Sequence, residues 1–127
     1  IVKNVISALQ KLAIHHRNLH SLLTIGITGS NGKTIVKEWI YQLTKENYSI
    51  IRNPGSYNSQ LGVPISILLI QPHHNLGLFE SGISTVDEMA KLAKLIQPKI
   101  GLITNLGPAH SAGFANAKST IVGGNKI

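Results

Sequence analysis

The sequence has no cysteine, only five acidic residues, and an aromatic content of 5% over its 127 positions. Without cysteine, the chain can hold neither a disulfide framework nor a thiolate nucleophile, which fits a cytoplasmic protein. No apolar run approaches the roughly 20 residues of a membrane-spanning helix, so no membrane contact is expected. The N-terminus lacks Met and a signal peptide and starts inside a helical pattern, so we expect a piece cut from a longer chain.

Acidic residues are so few that the formal charge is +7, with 12 Lys and Arg against 5 Asp and Glu. The basic residues are scattered, and the scarcity of aromatic residues disfavours nucleic-acid binding through a basic stripe with stacking platforms. The excess charge can be a solvated surface, or it can attract polyanionic small molecules. The length and a hydrophobic share of 43% predict one globular domain with a real core.

The most informative stretch is Thr28-Gly29-Ser30-Asn31-Gly32-Lys33-Thr34, which we call the phosphate loop. An apolar run precedes it and amphipathic sequence follows, as in a strand, glycine turn and helix start that cradle phosphate groups. The usual G-x-x-x-x-G-K-[ST] pattern is incomplete, because Ile27 stands where its first glycine would be. The context still favours a nucleotide-phosphate site over a structural glycine turn, with Lys33 as a mobile cation and Thr34 as a hydroxyl for a metal.

Hydrophobic periodicity predicts alternating helices and strands. Helices are expected at 2–16, 35–45, 61–70 and from a cap at Thr85 to just before Pro98, and strands at 22–27, 48–51, 76–79 and 99–104, with a loop at 52–60. Trp39 is expected in the core. The pattern is typical of an α/β fold, a P-loop-type, mostly parallel sheet in three αβα layers. We expect a leading helix or linker at 1–20, a partial nucleotide-binding domain at 21–115 and a weakly patterned tail at 116–127.

Polar groups follow three of the predicted strands, at 28–34, at Glu80 and at 104–110. The carboxyl ends of parallel strands share one edge of the sheet, so these groups should converge there. A magnesium–nucleotide site needs an oxygen ligand beside Thr34, and Glu80 is the best candidate. From position alone, His110 is as consistent with a second metal or a phosphate as with no role in a site.

Three other histidines, His15, His16 and His20, lie near the end of the first predicted helix. Adjacent histidines such as His15 and His16 can bind a metal ion, but no carboxylate is close in sequence. Histidines that favour the negative end of the helix dipole are the preferred interpretation.

These segments together resemble the central ATP-binding domain of the Mur ligase family. The similarity is carried by the phosphate loop, by Glu80-Ser81-Gly82 after a strand, by Thr104-Asn105 with His110 beyond, and by Asn58 ahead of Gly62-Val63-Pro64. The Asn58 loop and Ala109-His110 are most similar to the branch that adds D-alanyl-D-alanine, above all to the form fused to an alanine racemase.

The resemblance implies an ATP-dependent amide ligase of peptidoglycan precursor synthesis, acting on a UDP-muramoyl peptide and D-Ala-D-Ala through an acyl phosphate. It implies ATP and Mg²⁺ as cofactors, and this chain as the ATPase portion only. The implied nucleotide-binding residues are Thr28, Gly29, Ser30, Asn31, Gly32, Lys33, Thr34 and Asn105, the metal ligands Thr34, Glu80 and His110, the catalytic residues Lys33, Glu80 and His110, and the substrate-facing residues Asn58 and Ser59.

The sequence departs from the family pattern in its flanks. The family's N-terminal and C-terminal domains are not in this sequence, and its carbamylated lysine could correspond to Lys118 or Lys126. Two alternatives therefore stay open: a folylpolyglutamate-type ligase domain, and a degenerate domain that binds a nucleotide without catalysis.

Overall fold

The computed structural model describes residues 1–82 and 85–107 of the chain. The described elements are, in chain order, α1 (Val5–Asn18), β1 (Leu23–Thr28), α2 (Lys33–Thr44), β2 (Ile50–Arg52), α3 (Gly62–Leu68), β3 (Leu76–Glu80), α4 (Val86–Ile96) and β4 (Ile100–Ile103). Each predicted helix and strand is confirmed, with bounds that differ by a few residues. His110, Lys118, Lys126 and the predicted tail lie outside the described residues.

The four strands form one parallel sheet in the order β2-β3-β1-β4. β1 lies between β3 and β4, with Ile27 opposite both Glu80 and Leu102. Because all strands run the same way, the phosphate loop after β1, Glu80 at the end of β3 and the residues after β4 lie at one edge of the sheet. The predicted α/β architecture is thus confirmed.

Helices flank this sheet. α1, α3 and α4 pack together, and α4 also contacts β1. Their shared core is a cluster of buried side chains: Ala13, Leu22, Val63, Ile67, Ile70, Phe79, Leu92, Leu95 and Ile96. Ile27 and Leu78 are fully buried outside this cluster, on the strands β1 and β3 against which α2 packs. Alternate strand residues point to opposite faces, so both faces of the sheet carry buried apolar side chains.

Local sequence sets the helix ends. The side chain of Thr85 accepts a hydrogen bond from the Glu88 backbone N–H, which confirms the predicted cap of α4. Gln97 follows the last residue of α4, and its φ of 50° places it in the left-handed region. The N-cap residue of α2 is Gly32, which has no side chain to cap the helix. The first backbone N–H groups of α2, those of Lys33 and Thr34, are part of the phosphate loop.

The predicted burial of Trp39 in the core is wrong. Trp39 is 65% exposed, and Ile35 and Leu43 are exposed beside it, whereas Lys37 is completely buried. The apolar period correctly indicates a helix, but it does not indicate which face turns inward. Lys37 can turn inward because buried oxygen atoms receive its ammonium group, as described below.

α1 also turns a charged residue inward. Val5, Ile6 and Leu12 are exposed, whereas Ala13 and Arg17 are buried. The Arg17 guanidinium donates hydrogen bonds to the carbonyls of Ile96 and His20 and to the Thr24 hydroxyl. Through these bonds α1 is joined to the core rather than lying apart from it.

The positions of two of the three histidines agree with the dipole interpretation. His15 and His16 lie in the last turn of α1, and His16 Nε2 is 3.0 Å from the Ile70 carbonyl oxygen. In residues 1–82 and 85–107, no group of three or more His, Cys, Asp or Glu side chains is placed to hold a metal. Within the same ranges, no helix has both the length and the apolar character needed to cross a membrane.

Candidate nucleotide and metal site

The phosphate loop runs from the end of β1 into the first turn of α2, as predicted. Gly29 has a φ of 136° and Gly32 a φ of 79°, values that disfavour any residue with a side chain. A Cβ atom on Gly29 would also overlap Thr104 Oγ1, so the loop can lie close to the end of β4 only because Gly29 lacks a side chain.

The residues after β4 make hydrogen bonds to the phosphate loop. Asn105 accepts two hydrogen bonds, from Ser30 N–H to its backbone oxygen and from Asn31 N–H to Oδ1, each 2.9 Å long. The Thr104 hydroxyl donates to the Asn31 carbonyl at 2.5 Å. Asn105 thus shapes the loop in this structure, and its contact with a nucleotide base stays a prediction.

The Lys33 ammonium lies over the loop and donates to the Gly29 carbonyl at 2.7 Å. Burial lowers the pKa of Lys33, and the charge of Glu80 partly opposes that shift. A lysine on the first turn of a helix, directly after the glycine turn, is placed to contact a bound phosphate group.

Glu80 ends β3 and its side chain is completely buried. Its two carboxylate oxygens have different neighbours. Oε1 accepts hydrogen bonds from the Thr34 hydroxyl at 3.2 Å and from the Asn58 side-chain amide at 3.0 Å. Oε2 accepts no hydrogen bond within the described part of the chain, and it lies 3.2 Å from the Lys37 ammonium.

Lys37 is a site residue that the sequence analysis missed. Its ammonium donates to the carbonyls of Asn53 at 2.6 Å and Gly55 at 2.5 Å, in addition to its ion pair with Glu80. The available signal was its spacing. Lys37 follows Lys33 by four residues, so both lie on one face of α2, the face turned toward the site.

The loop between β2 and α3 is joined to the same carboxylate. Asn53 is buried; its amide donates to the Glu80 and Tyr57 carbonyls, and its Oδ1 accepts from Glu80 N–H at 3.0 Å. We call Thr34, Lys37, Asn53, Asn58 and Glu80 the Glu80 network. It fixes the phosphate loop, α2 and the β2–α3 loop relative to one another.

The predicted substrate-facing residues lie beside this network. Asn58 and Ser59 line a cleft of about 400 Å³ with Gly82, Glu88 and Leu92. The Ser59 hydroxyl accepts hydrogen bonds from the Leu61 and Gly62 N–H groups, at the start of α3. Ser59 therefore has a structural role in this region, whereas Asn58 connects the cleft to Glu80.

The residues present fit a divalent metal ion. Thr34 Oγ1 and Glu80 Oε1 are two hard oxygen atoms 3.2 Å apart, next to the phosphate loop. Oxygen donors of this kind suit Mg²⁺, which takes few protein ligands and completes its shell with water and substrate phosphates. The structure thus brings together Lys33, Thr34 and Glu80 as predicted, while the predicted ligand His110 lies outside the described residues.

Comparison with known proteins gives consistent matches. The family model described as Mur ligase middle domain matches residues 27–122. The chain is similar to the UDP-N-acetylmuramoyl-tripeptide–D-alanyl-D-alanine ligase of Borreliella burgdorferi, with 39% identity over 98% of this chain and 28% of that protein. The ligase of the same name from Bacillus subtilis is 32% identical over 99% of this chain and 29% of its own length.

Solved structures agree with these matches. A crystal structure of MurF from Acinetobacter baumannii has a TM-score of 0.91 and 28% identity, covering all of this chain and 28% of that one. MurF ligase from Thermotoga maritima in complex with ADP has a TM-score of 0.89 and 31% identity, again over all of this chain and 30% of that one. The chain therefore spans less than a third of the length of these relatives.

Proposed function

The chain belongs to the Mur ligase family, and from this membership we propose that it is the ATPase portion of an ATP-dependent ligase of peptidoglycan precursor synthesis. The ligase would join D-Ala-D-Ala to a UDP-muramoyl peptide. The observation that carries the proposal is the Glu80 network, which holds the Thr34 hydroxyl and a buried carboxylate next to a phosphate loop. The names of the relatives support the choice of substrates.

The proposed reaction has two steps. A carboxylate oxygen of the UDP-muramoyl peptide forms a bond to the γ-phosphorus of ATP, the bond from that phosphorus to the bridging oxygen breaks, and ADP leaves. The amine of D-Ala-D-Ala then attacks the acyl carbon, phosphate leaves with the bonding electron pair, and the nitrogen loses a proton. The products are an amide, ADP and phosphate.

The residues of this chain would mainly bind and orient in that reaction. Lys33 and the N–H groups of the phosphate loop would hold the phosphates of ATP. Thr34 and Glu80 would hold Mg²⁺, which neutralises phosphate charge when bound. Asn58 would face the acceptor. Roles for His110 at a second metal, and for Lys118 or Lys126 as a carbamylated lysine, rest on the family resemblance alone.

Three finer points are part of the proposal. The protein would act in the cytoplasm, where ATP and nucleotide-linked precursors are available. It would have no nucleic-acid partner, in line with its scattered basic residues. Fusion to an alanine racemase stays a prediction from the resemblance.

The folylpolyglutamate alternative is not favoured, because the relatives found are D-alanyl-D-alanine ligases.

An activity assay tests the proposed function. The protein that carries this sequence, given ATP, UDP-muramoyl tripeptide and D-Ala-D-Ala, should release ADP and phosphate and form the amide. Replacing the two substrates by folate and glutamate should give no product. If Glu80→Ala left the rate of amide formation unchanged, the assigned site would be wrong. If the unmodified protein bound ATP but formed no amide, the non-catalytic alternative would gain support.

A further inference from the structure

Lys37 is a completely buried cation at the ligand that the proposed function assigns to magnesium. Two of its three ammonium protons go to the Asn53 and Gly55 carbonyls. Removing a lysine side chain from water is costly unless its charge and its donors are both satisfied. Here the carbonyls satisfy donors and Glu80 supplies the opposite charge, so the ammonium is held at one place.

The position of the Lys37 ammonium makes the two carboxylate oxygens of Glu80 inequivalent. Lys37 Nζ lies 3.2 Å from Oε2, whereas Oε1 faces Thr34 and Asn58. A divalent cation bound at Thr34 therefore meets Oε1, while Oε2 lies against a fixed positive charge. The carbonyl bonds at 2.6 and 2.5 Å keep the ammonium from swinging away and freeing Oε2.

We propose that Lys37 is a positioning residue that restricts Glu80 to one-oxygen coordination and thereby sets the metal selectivity of the site. This inference rests on the proposed function of the same site. Mg²⁺ is small, prefers six ligands and needs only one oxygen from a carboxylate. Ca²⁺ takes six to eight ligands and readily uses both oxygens of one carboxylate. With Oε2 blocked by Lys37, the site offers Ca²⁺ one oxygen fewer and so favours Mg²⁺.

The test compares two metals on one variant. Binding of a fluorescent ATP analogue to the chain is titrated with Mg²⁺ or Ca²⁺, for the unmodified chain and for Lys37→Met, which keeps an unbranched side chain without the ammonium group. In Lys37→Met, the half-saturating concentration of Ca²⁺ divided by that of Mg²⁺ should fall by about tenfold. This is the lower end of the effect of altering a residue that contacts a metal ligand. Nucleotide binding in EDTA should stay within about twofold, because the phosphate loop is untouched.

A merely structural role for Lys37 gives a different result. Weaker binding of both metals by the same factor, with an unchanged ratio, would overturn the inference. Lys45→Met removes an exposed lysine just beyond α2 and controls for the loss of one charge; it should leave the ratio unchanged. If the unmodified chain bound the nucleotide no better with either metal than in EDTA, the proposed function itself would fail.

A second measurement does not depend on the folding of Lys37→Met. Infrared difference spectra of the unmodified chain with nucleotide, with and without metal, report whether a carboxylate binds through one oxygen or two. Glu80→Gln identifies the band among the five acidic side chains. The splitting of the carboxylate stretches should indicate one-oxygen coordination with both Mg²⁺ and Ca²⁺. A two-oxygen splitting with either metal would contradict the positioning role.

Discussion

At the scale of single residues, Gly29 and Gly55 lack a side chain for different reasons. Both have positive φ, but a Cβ atom on Gly29 would overlap Thr104 Oγ1, whereas one on Gly55 would meet nothing within 4 Å. Gly55→Ala should therefore lower the free energy of unfolding by about 1 kcal/mol, from backbone strain alone. Gly29→Ala should cost about 2–4 kcal/mol, because overlap adds to that strain. Urea unfolding of both variants measures the difference, and equal costs would contradict the close contact with β4.

Ser81 provides a second prediction at this scale. Its hydroxyl is buried and has no hydrogen-bond partner within residues 1–82 and 85–107. An unpaired buried hydroxyl costs about 1–3 kcal/mol, so Ser81→Ala should leave the chain equally stable or more stable. Ser66 is the matched control: it is also buried, and its hydroxyl donates to the Gly62 carbonyl at 2.8 Å. Ser66→Ala should lower the urea midpoint; a similar loss in Ser81→Ala would indicate a partner for that hydroxyl.

At the scale of elements, α2 shows why the sequence predicts a helix better than its orientation. The apolar side chains of Ile35, Trp39 and Leu43 recur every four residues and predict a helix, which is confirmed. The same pattern predicts Trp39 in the core, which is wrong, because the buried face of α2 carries Lys37 and its partners. Those partners, Asn53 and Gly55, lie 16 and 18 positions away in sequence, so no local pattern reveals them.

The orientation of α2 gives a spectroscopic prediction. Trp39 is the single tryptophan and is 65% exposed. Its fluorescence should resemble that of free tryptophan in water and be quenched readily by iodide. Trp39→Gln should change the free energy of unfolding by less than about 0.5 kcal/mol, as for other surface substitutions. A blue-shifted emission protected from iodide in the monomeric chain would show that this face of α2 is covered.

The end of α1 and the turn before β3 carry histidines whose proton affinity is altered by folding. The pKa of His20 is lowered by burial and then by the nearby His16 and Arg17, and the pKa of His74 is lowered by burial and then by His73 and His20. A histidine with a lowered pKa binds fewer protons folded than unfolded. Its contribution to stability is therefore complete above the ordinary pKa of about 6.5 and is lost as the pH falls below that value.

Measuring the free energy of unfolding as a function of pH tests this assignment. The free energy of unfolding should fall as the pH is lowered from about 7 to about 5, over the range in which the unfolded histidines take up protons. His20→Gln should make this fall shallower. His15→Gln is the control in the same chain segment and should leave the slope closer to that of the unmodified chain. A slope unaffected by His20→Gln would contradict the assignment.

At the scale of the whole molecule, the sequence predicted the part of the site that lies on strand ends. The phosphate loop, Glu80 and the residues after β4 each follow an apolar strand, and parallel pairing brings those ends to one edge. What the sequence could not predict is how the edge is held together. The contacts of Glu80 with Lys37 and Asn58, and the support that Asn105 gives to the loop, depend on packing between distant segments.

The central claim is that the phosphate loop and Glu80 form one metal-dependent nucleotide site. Calorimetric titration of the 127-residue chain with ADP tests it most directly, in Mg²⁺ and in EDTA, for the unmodified chain, Lys33→Ala and Glu80→Gln. Mg²⁺ should tighten ADP binding to the unmodified chain. Lys33→Ala should weaken binding in both conditions, and Glu80→Gln should remove only the advantage given by Mg²⁺. Equal ADP affinity for all three proteins in Mg²⁺ would contradict the account.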